Sequence, residues 1–158
     1  MNIHVELSNS KGIEFHSLGK FQEAVTCYDR AIQINPGYAD AWYNKGLALY
    51  SLGKHQEAIT CHDRAIQINP GYTKAWNNKG NALSDLGKHQ EAITCHDRAI
   101  QIDPRRVGAW FLKALCEDDI GRVQDAPLSY KRFIELAPPE AAEQIELAQD
   151  RLRSLRDN

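Results

Sequence analysis

No run in this 158-residue chain approaches the roughly 18 consecutive apolar residues that a membrane span needs. The opening MNIHVELSNSKG has no charged start leading into an apolar stretch, so the expectation is a soluble, cytoplasmic protein without a membrane partner. Charge of one sign is also missing: 19 Lys and Arg stand against 21 Asp and Glu. Without a basic field, phosphate backbones have little to attract them, and no nucleic-acid partner is expected. The sequence has no Gly-rich phosphate loop, no nucleophile elbow and no helical zinc signature, which argues against an enzyme, a cofactor and a metal. Nor does a low-complexity tract or charge run divide the chain, so residues 1–158 read as one domain.

What is present is a repeat. Trp42, Trp76 and Trp110 are spaced 34 residues apart, and residues 39–72 differ from 73–106 at only nine of 34 positions. Six differences fall in the first half of the unit: Ala39/Thr73, Asp40/Lys74, Tyr43/Asn77, Leu47/Asn81, Tyr50/Ser84 and Ser51/Asp85. The other three, Asn69/Asp103, Gly71/Arg105 and Tyr72/Arg106, lie in the terminal turn, while Leu52 to Ile68 equals Leu86 to Ile102 throughout. A constant scaffold presenting a variable face is the simplest reading.

Within a unit, Trp42, Gly46, Leu49 and Leu52 follow a helical period, and Gly53 offers the left-handed stop that ends a first helix. Ala58, Cys61, His62, Ala65 and Ile68 mark the inner stripe of a second helix, closed by Pro70 because the residue before proline resists the helical region. Gly19, Gly87 and Gly121, and Pro36, Pro104 and Pro138, repeat these stops. Two helices with one apolar stripe each cannot bury it alone and must stack on neighbours. Stacking sets Cys27, Cys61 and Cys95 in a row about 10 Å apart, beyond the roughly 7 Å limit for a disulfide. They read as small buried hydrophobes in a reducing compartment.

Trp42, Gly46, Ala58, Ala65 and Pro70 stand at five principal positions of the tetratricopeptide repeat, and the chain resembles that family over residues 5–140. The resemblance implies an all-α right-handed superhelical solenoid of antiparallel helix pairs, with units 5–38, 39–72, 73–106 and 107–140 and a capping helix over 141–156. The end units depart from the pattern. Ser8 replaces the tryptophan of unit one, leaving its first helix less to bury and prone to fray, and unit four has Ala114, Glu117 and Phe133 at positions that are Gly, Leu and Ala in units two and three. Pro127 requires the second helix of unit four to start near Asp125, with that aspartate as its cap. Beyond Pro139, Ile145, Ala148, Leu152 and Leu155 share one face of an amphipathic helix.

In this family the first helices line a concave groove, which implies a peptide segment or partner helix as the ligand and a scaffold or adaptor role. Carried onto this sequence, the groove is Tyr43, Asn44, Leu47 and Tyr50 in unit two, Lys74, Asn77, Asn78, Asn81 and Asp85 in unit three, and Phe111 and Leu115 in unit four. Glu6, Asn9, Ile13, His16, Asp40, Leu112 and Asp118 extend the same track. Carboxamides in unit three can bond to an extended backbone, and the apolar residues on either side can anchor side chains. The carboxylate clamp that some members use for chaperone tails matches here only at Asn44 and Lys74, because Asn9, Ile13 and Asn78 hold its other positions. The alternative from another class is a self-assembling structural module, a homo-oligomer through groove or end faces. Asp40, Asp85 and Asp118 argue against RNA.

Two further patterns have plainer readings. The ladder Lys11, Lys45, Lys79 and Lys113 reads as stems covering apolar surface with ammonium groups in water. His55 and His62, and His89 and His96, are seven apart, about 10 Å along a helix. That is too far to share one zinc, so they read as packing residues. The groove reading predicts that Asn77→Ala with Asn78→Ala weakens partner binding in titration calorimetry while leaving the thermal midpoint nearly unchanged.

Overall fold

The protein, seen here as a computed structural model that describes residues 3–155, is built from helices joined by short turns. In chain order they are α1 (Ile3–Ser17), α2 (Phe21–Ile34), α3 (Ala39–Ser51), α4 (His55–Ile68), α5 (Thr73–Asp85), α6 (His89–Ile102), α7 (Val107–Asp119), α8 (Ala126–Leu136) and α9 (Ala142–Ser154). A single 3-10 turn, Pro139–Ala141, precedes α9. Each helix packs on the next, and alternate helices α1, α3, α5 and α7 also touch, which is the layout of a solenoid. The last residue of the expected capping helix, Arg156, lies outside the described residues.

The turns inside each helix pair are set by glycine. Gly19, Gly53, Gly87 and Gly121 all adopt φ between 71° and 74°. At each, two amides close a left-handed stop: Gly53 N–H donates to Tyr50 O at 2.9 Å and Lys54 N–H to Leu49 O at 2.9 Å. Between pairs, Asn35, Asn69 and Asp103 are extended ahead of their prolines. Their side-chain oxygens accept the N–H two residues on, at 3.0 to 3.1 Å. Pro127 is accommodated as expected, since α8 begins at Ala126. Asp125, however, makes no side-chain cap bond and instead faces Arg122 at 3.6 Å. With αR backbone at Asp125, the preceding turn already supplies partners for the first amides, so the carboxylate stays on the surface.

Small residues set the spacing. Ala41, Ala75 and Ala109 on the first helices, and Ala24, Ala58 and Ala92 on the second, are fully buried. Gly46 and Gly80 face the imidazoles of His62 and His96, and a Cβ at either glycine would come within 2.6 Å of ring carbon. The inner stripe of the second helices differs from expectation at its end. Ile59 and Ile66 are buried while Ile68 is 37% exposed, because the stripe precesses and the last turn projects past the neighbouring unit. Leu52, also 37% exposed, sits at the cap of α3 rather than in the core. Helix α1 is continuous despite Ser8, with Phe15 and Val5 supplying its apolar contacts. At the other end α9 lays Ala148, Ile145, Leu152 and Leu155 against Ala114, Tyr130 and Phe133.

His62 and His96 are wholly buried, and neither ring nitrogen of either has a hydrogen-bond partner. Burial pushes both imidazoles down to about 4, with a nearby lysine, Lys79 or Lys113, acting in the same direction and Asp97 opposing it at His96. Both are neutral in the fold at neutral pH. The unfolded chain takes up protons below its ordinary value of 6.5 while the folded chain does not, so stability is complete above that pH and declines as pH falls toward 4. The full loss is on the order of 3 kcal/mol for each histidine. We expect the thermal midpoint to drop steeply between pH 7 and pH 5, and the variant His62→Tyr with His96→Tyr, which installs the residue of units one and four, to flatten that slope. An unchanged slope in the variant would refute the assignment.

Candidate interaction groove

Among the residues expected to line the groove, several meet across neighbouring first helices and are already bonded to one another. Asn44 Nδ2 donates to Asn9 Oδ1 at 3.1 Å, joining position five of one unit to position six of the next. Asn78 Nδ2 repeats this to Tyr43 Oη at 3.1 Å, and Asn81 Nδ2 reaches Asn78 Oδ1 at 3.5 Å. At the outer end Tyr50 Oη donates to Asp85 Oδ2 at 2.5 Å, with His55 Nδ1 3.8 Å from the same oxygen. Tyr72 Oη donates to Asp40 Oδ1 at 2.6 Å. The carboxamides therefore clamp neighbouring units as well as facing the groove.

These contacts show in the acidities. Asp85's accepted hydrogen bond holds the Tyr50 phenol up at about 12, helped by burial. Burial raises the Tyr43 phenol, while Asn78's bond and the nearby Arg106 guanidinium pull it back. Tyr43 also packs on Tyr72 with ring centroids 4.9 Å apart.

Burial separates the candidate residues. Tyr43, Asn44, Leu47, Tyr50, Asn78, Asn81, Phe111 and Leu115 are half-buried, Lys74 and Asp85 exposed. Asn77 is only 7% exposed, and its Oδ1 lacks a donor because Leu112 occupies the place that Asn44 and Asn78 hold at the other junctions. Removing Asn77 would therefore disturb packing, and a substitution there is no clean test of binding. Phe111 packs on Phe133 with centroids 4.8 Å apart. Beside them Val107, Gly108, Leu112, Pro138, Ala141 and Gln144 complete an apolar hollow of about 400 Å³. Sequence reading missed the contributions of Tyr72, Arg106 and Phe133. The three differences in the terminal turn were the available signal for the first two.

On the opposite side the lysine ladder is not simply solvated. Lys45, Lys79 and Lys113 each reach an aspartate of the preceding unit, Asp29, Asp63 and Asp97, at 2.6 Å. Each ammonium also lies 5.7 to 5.9 Å from the tryptophan ring of its own helix. Arg64 and Arg98 approach the Trp42 and Trp76 rings at 5.7 and 5.8 Å. The tryptophans are only half-buried, and each indole N–H donates to the carbonyl of the preceding proline at 2.9 to 3.0 Å. They fasten the incoming turn to the helix as well as filling space. In unit four Glu117 lies beneath Lys113, 3.6 Å away, and burial raises its carboxyl against the pull of Ser129 and Lys113. Among the described residues no three His, Cys, Asp or Glu side chains converge on a metal-sized site. The four cysteines are free and buried.

A stack of helix pairs with a variable inner face defines a helical-repeat solenoid. The family models agree: one described as a TPR repeat matches residues 12–53, and one described as a tetratricopeptide repeat matches 39–72 and 73–106. The chain belongs to the tetratricopeptide repeat family. No curated protein sequence matches it. Among solved structures it is similar to MamA, with a TM-score of 0.82 and 25% identity over 87% of this chain and 81% of that one. It is similar also to the first TPR of Spaghetti (RPAP3) bound to HSP90 peptide SRMEEVD, with a TM-score of 0.72 and 25% identity over 75% of this chain and 98% of that one. The second TPR domain of human RPAP3, in complex with HSP70 peptide SGPTIEEVD, gives a TM-score of 0.71 and 25% identity over 73% and 96%.

Because its ring is half-buried, Trp76→Ala should cost about 2 to 3 kcal/mol in urea unfolding, less than the 3 to 5 kcal/mol of a fully enclosed tryptophan. A loss at the upper end of that range would show that the indole is a buried anchor after all.

Proposed function

We propose that the protein is an interaction module that holds a segment of another protein along the face formed by α3, α5 and α7. One observation carries the reading: between two otherwise near-identical units, the six changes of the first half fall at positions 39/73, 40/74, 43/77, 47/81, 50/84 and 51/85, all on the first helix, while the second helix is copied without change. Exposed residues of the second helix, such as Thr60 and Thr94, are as free to vary as those of the first, so a shared structural demand does not account for the contrast. Peptide-bound relatives of the same fold support a protein partner. Partly exposed Leu47, Phe111 and Leu115 provide apolar anchors, and the lone pairs and spare N–H groups of Asn44, Asn78 and Asn81 remain for polar contacts. The role is display, with specificity resting on which side chains each unit presents.

A photo-crosslinking residue at Leu47 should capture a partner that the same residue at Thr60, on the second helix, does not. Equal capture from both positions would remove the groove from consideration.

A further inference from the structure

On the side that carries the lysine ladder, unit four departs from units two and three at positions that fall together in space. A hollow of about 380 Å³ lies between α7 and α8, with Asp97, Trp110, Lys113, Glu117, Asp125 and Leu128 in its walls. The matching hollow of unit two, at Trp42, Lys45, Leu49 and Cys61, holds about 200 Å³. Its floor is apolar, whereas in unit four Glu117 stands in the place of Leu49 and Leu83, and Ser129 in that of Cys61 and Cys95. Glu117 is 2% exposed, and although Lys113 and Ser129 approach it, its Oε2 has no hydrogen-bond partner. The indole differs too. Arg64 lies 5.7 Å from the Trp42 ring and Arg98 5.8 Å from the Trp76 ring, each in addition to the lysine of the ring's own helix. At the same repeat position of unit four, Arg132 pairs instead with Glu135 at 2.8 Å. Among the described residues Lys113 is the only cation against the Trp110 ring.

We infer that this hollow takes the guanidinium of an arginine carried by a partner protein, set against Trp110 and bonded to Glu117. The charges favour a cation. Lys113 is held by Asp97 at 2.6 Å and Arg122 faces Asp125 at 3.6 Å, so of the three carboxylates in the walls Glu117 is the one left in excess. A carboxylate shut away from water with one oxygen unbonded is costly, and a charge-assisted bond from a guanidinium N–H removes that cost. One cation can serve both walls, because the Lys113 ammonium is already 5.7 Å from the indole centroid and 3.6 Å from Glu117 Oε1. Arginine suits the place better than lysine, since its flat guanidinium stacks on an aromatic face while its N–H fork stays free to meet a carboxylate. Arg64 and Arg98 make the first of these contacts in units two and three. Leu128 points to a protein and not a small cation: it lines the hollow at 65% exposure, where units two and three have Thr60 and Thr94. Apolar contacts around a buried polar one exclude water from it, as at the centre of a protein interface. The site lies outside the groove and stands independently of the groove reading.

The indole N–H signals of the whole protein report the test in two-dimensional NMR, with Trp42 and Trp76 as internal controls. Titration with Nα-acetyl-arginine amide should move the Trp110 signal and leave the other two in place. Nα-acetyl-citrulline amide, of the same shape without the charge, should move none. Glu117→Leu, which installs the residue of units two and three, should weaken the arginine probe about tenfold while circular dichroism shows the helices intact. Equal shifts at all three indoles, a Trp110 signal that stays still, equal shifts from the citrulline probe, or unchanged affinity in Glu117→Leu would overturn the site. Equal affinity for Nα-acetyl-lysine amide would overturn its assignment to arginine. Acetyl-Leu-Arg-Leu amide should bind more tightly than acetyl-Gly-Arg-Gly amide, a difference that Leu128→Thr erases. Equal binding of the two peptides would assign the site to a free guanidinium compound and overturn the protein partner.

Discussion

The contact of a flat ring with bare backbone is what the rest of the molecule hangs on. His62 lies over Gly46 and His96 over Gly80, at a distance where even a methyl group would collide. That approach sets how near the two helices of a unit can come, and so how well the small residues around them exclude water. Alanines at full burial on both helices work only at this spacing. The chain places imidazole there in its two inner units and the Tyr28 phenol over Gly12 in the first, while the fourth has Tyr130 at the same repeat position and Ala114 in place of the glycine. Using histidine makes the interior of the array dependent on a neutral ring, an arrangement that ties folding to pH.

Around that interior the two faces of the solenoid have divided their labour. The other side carries a lattice repeated with little change: a lysine bonded to an aspartate of the unit before it, and, within the unit, lysine and arginine set against the tryptophan. The inner face carries cross-unit bonds whose chemistry differs at every junction: amide to amide, amide to phenol, and thiol to hydroxyl from Cys116 to Ser84. Rigidity comes from the first and individuality from the second.

Much of this was legible in the chain. Glycine and proline punctuation located the helix ends because φ above zero and the residue before proline are nearly sterically determined. The amphipathic face of α9 and the late start of α8 at Pro127 followed from equally local rules. Periodicity was less reliable at helix ends, where Ile68 and Leu52 keep the pattern of core residues but project beyond any neighbour. The tryptophans stay half-buried for a related reason: size argues for burial, yet the indole N–H must reach a carbonyl in a surface turn.

By itself the sequence determined the repeat, the all-helical class and the positions at which units differ, because each follows from the order of residues along the chain: a 34-residue copy for the first and third, and a helical period for the second. Only the tertiary structure decided which of the differing residues are spent on one another. Asn44 with Asn9 and Asn78 with Tyr43 are 35 residues apart in adjacent units, and whether a donor meets an acceptor depends on how one unit is rotated against the next. Hydrogen bonds fall off within a fraction of an ångström, so a pattern of residue types names the candidates while packed helices select the pairs.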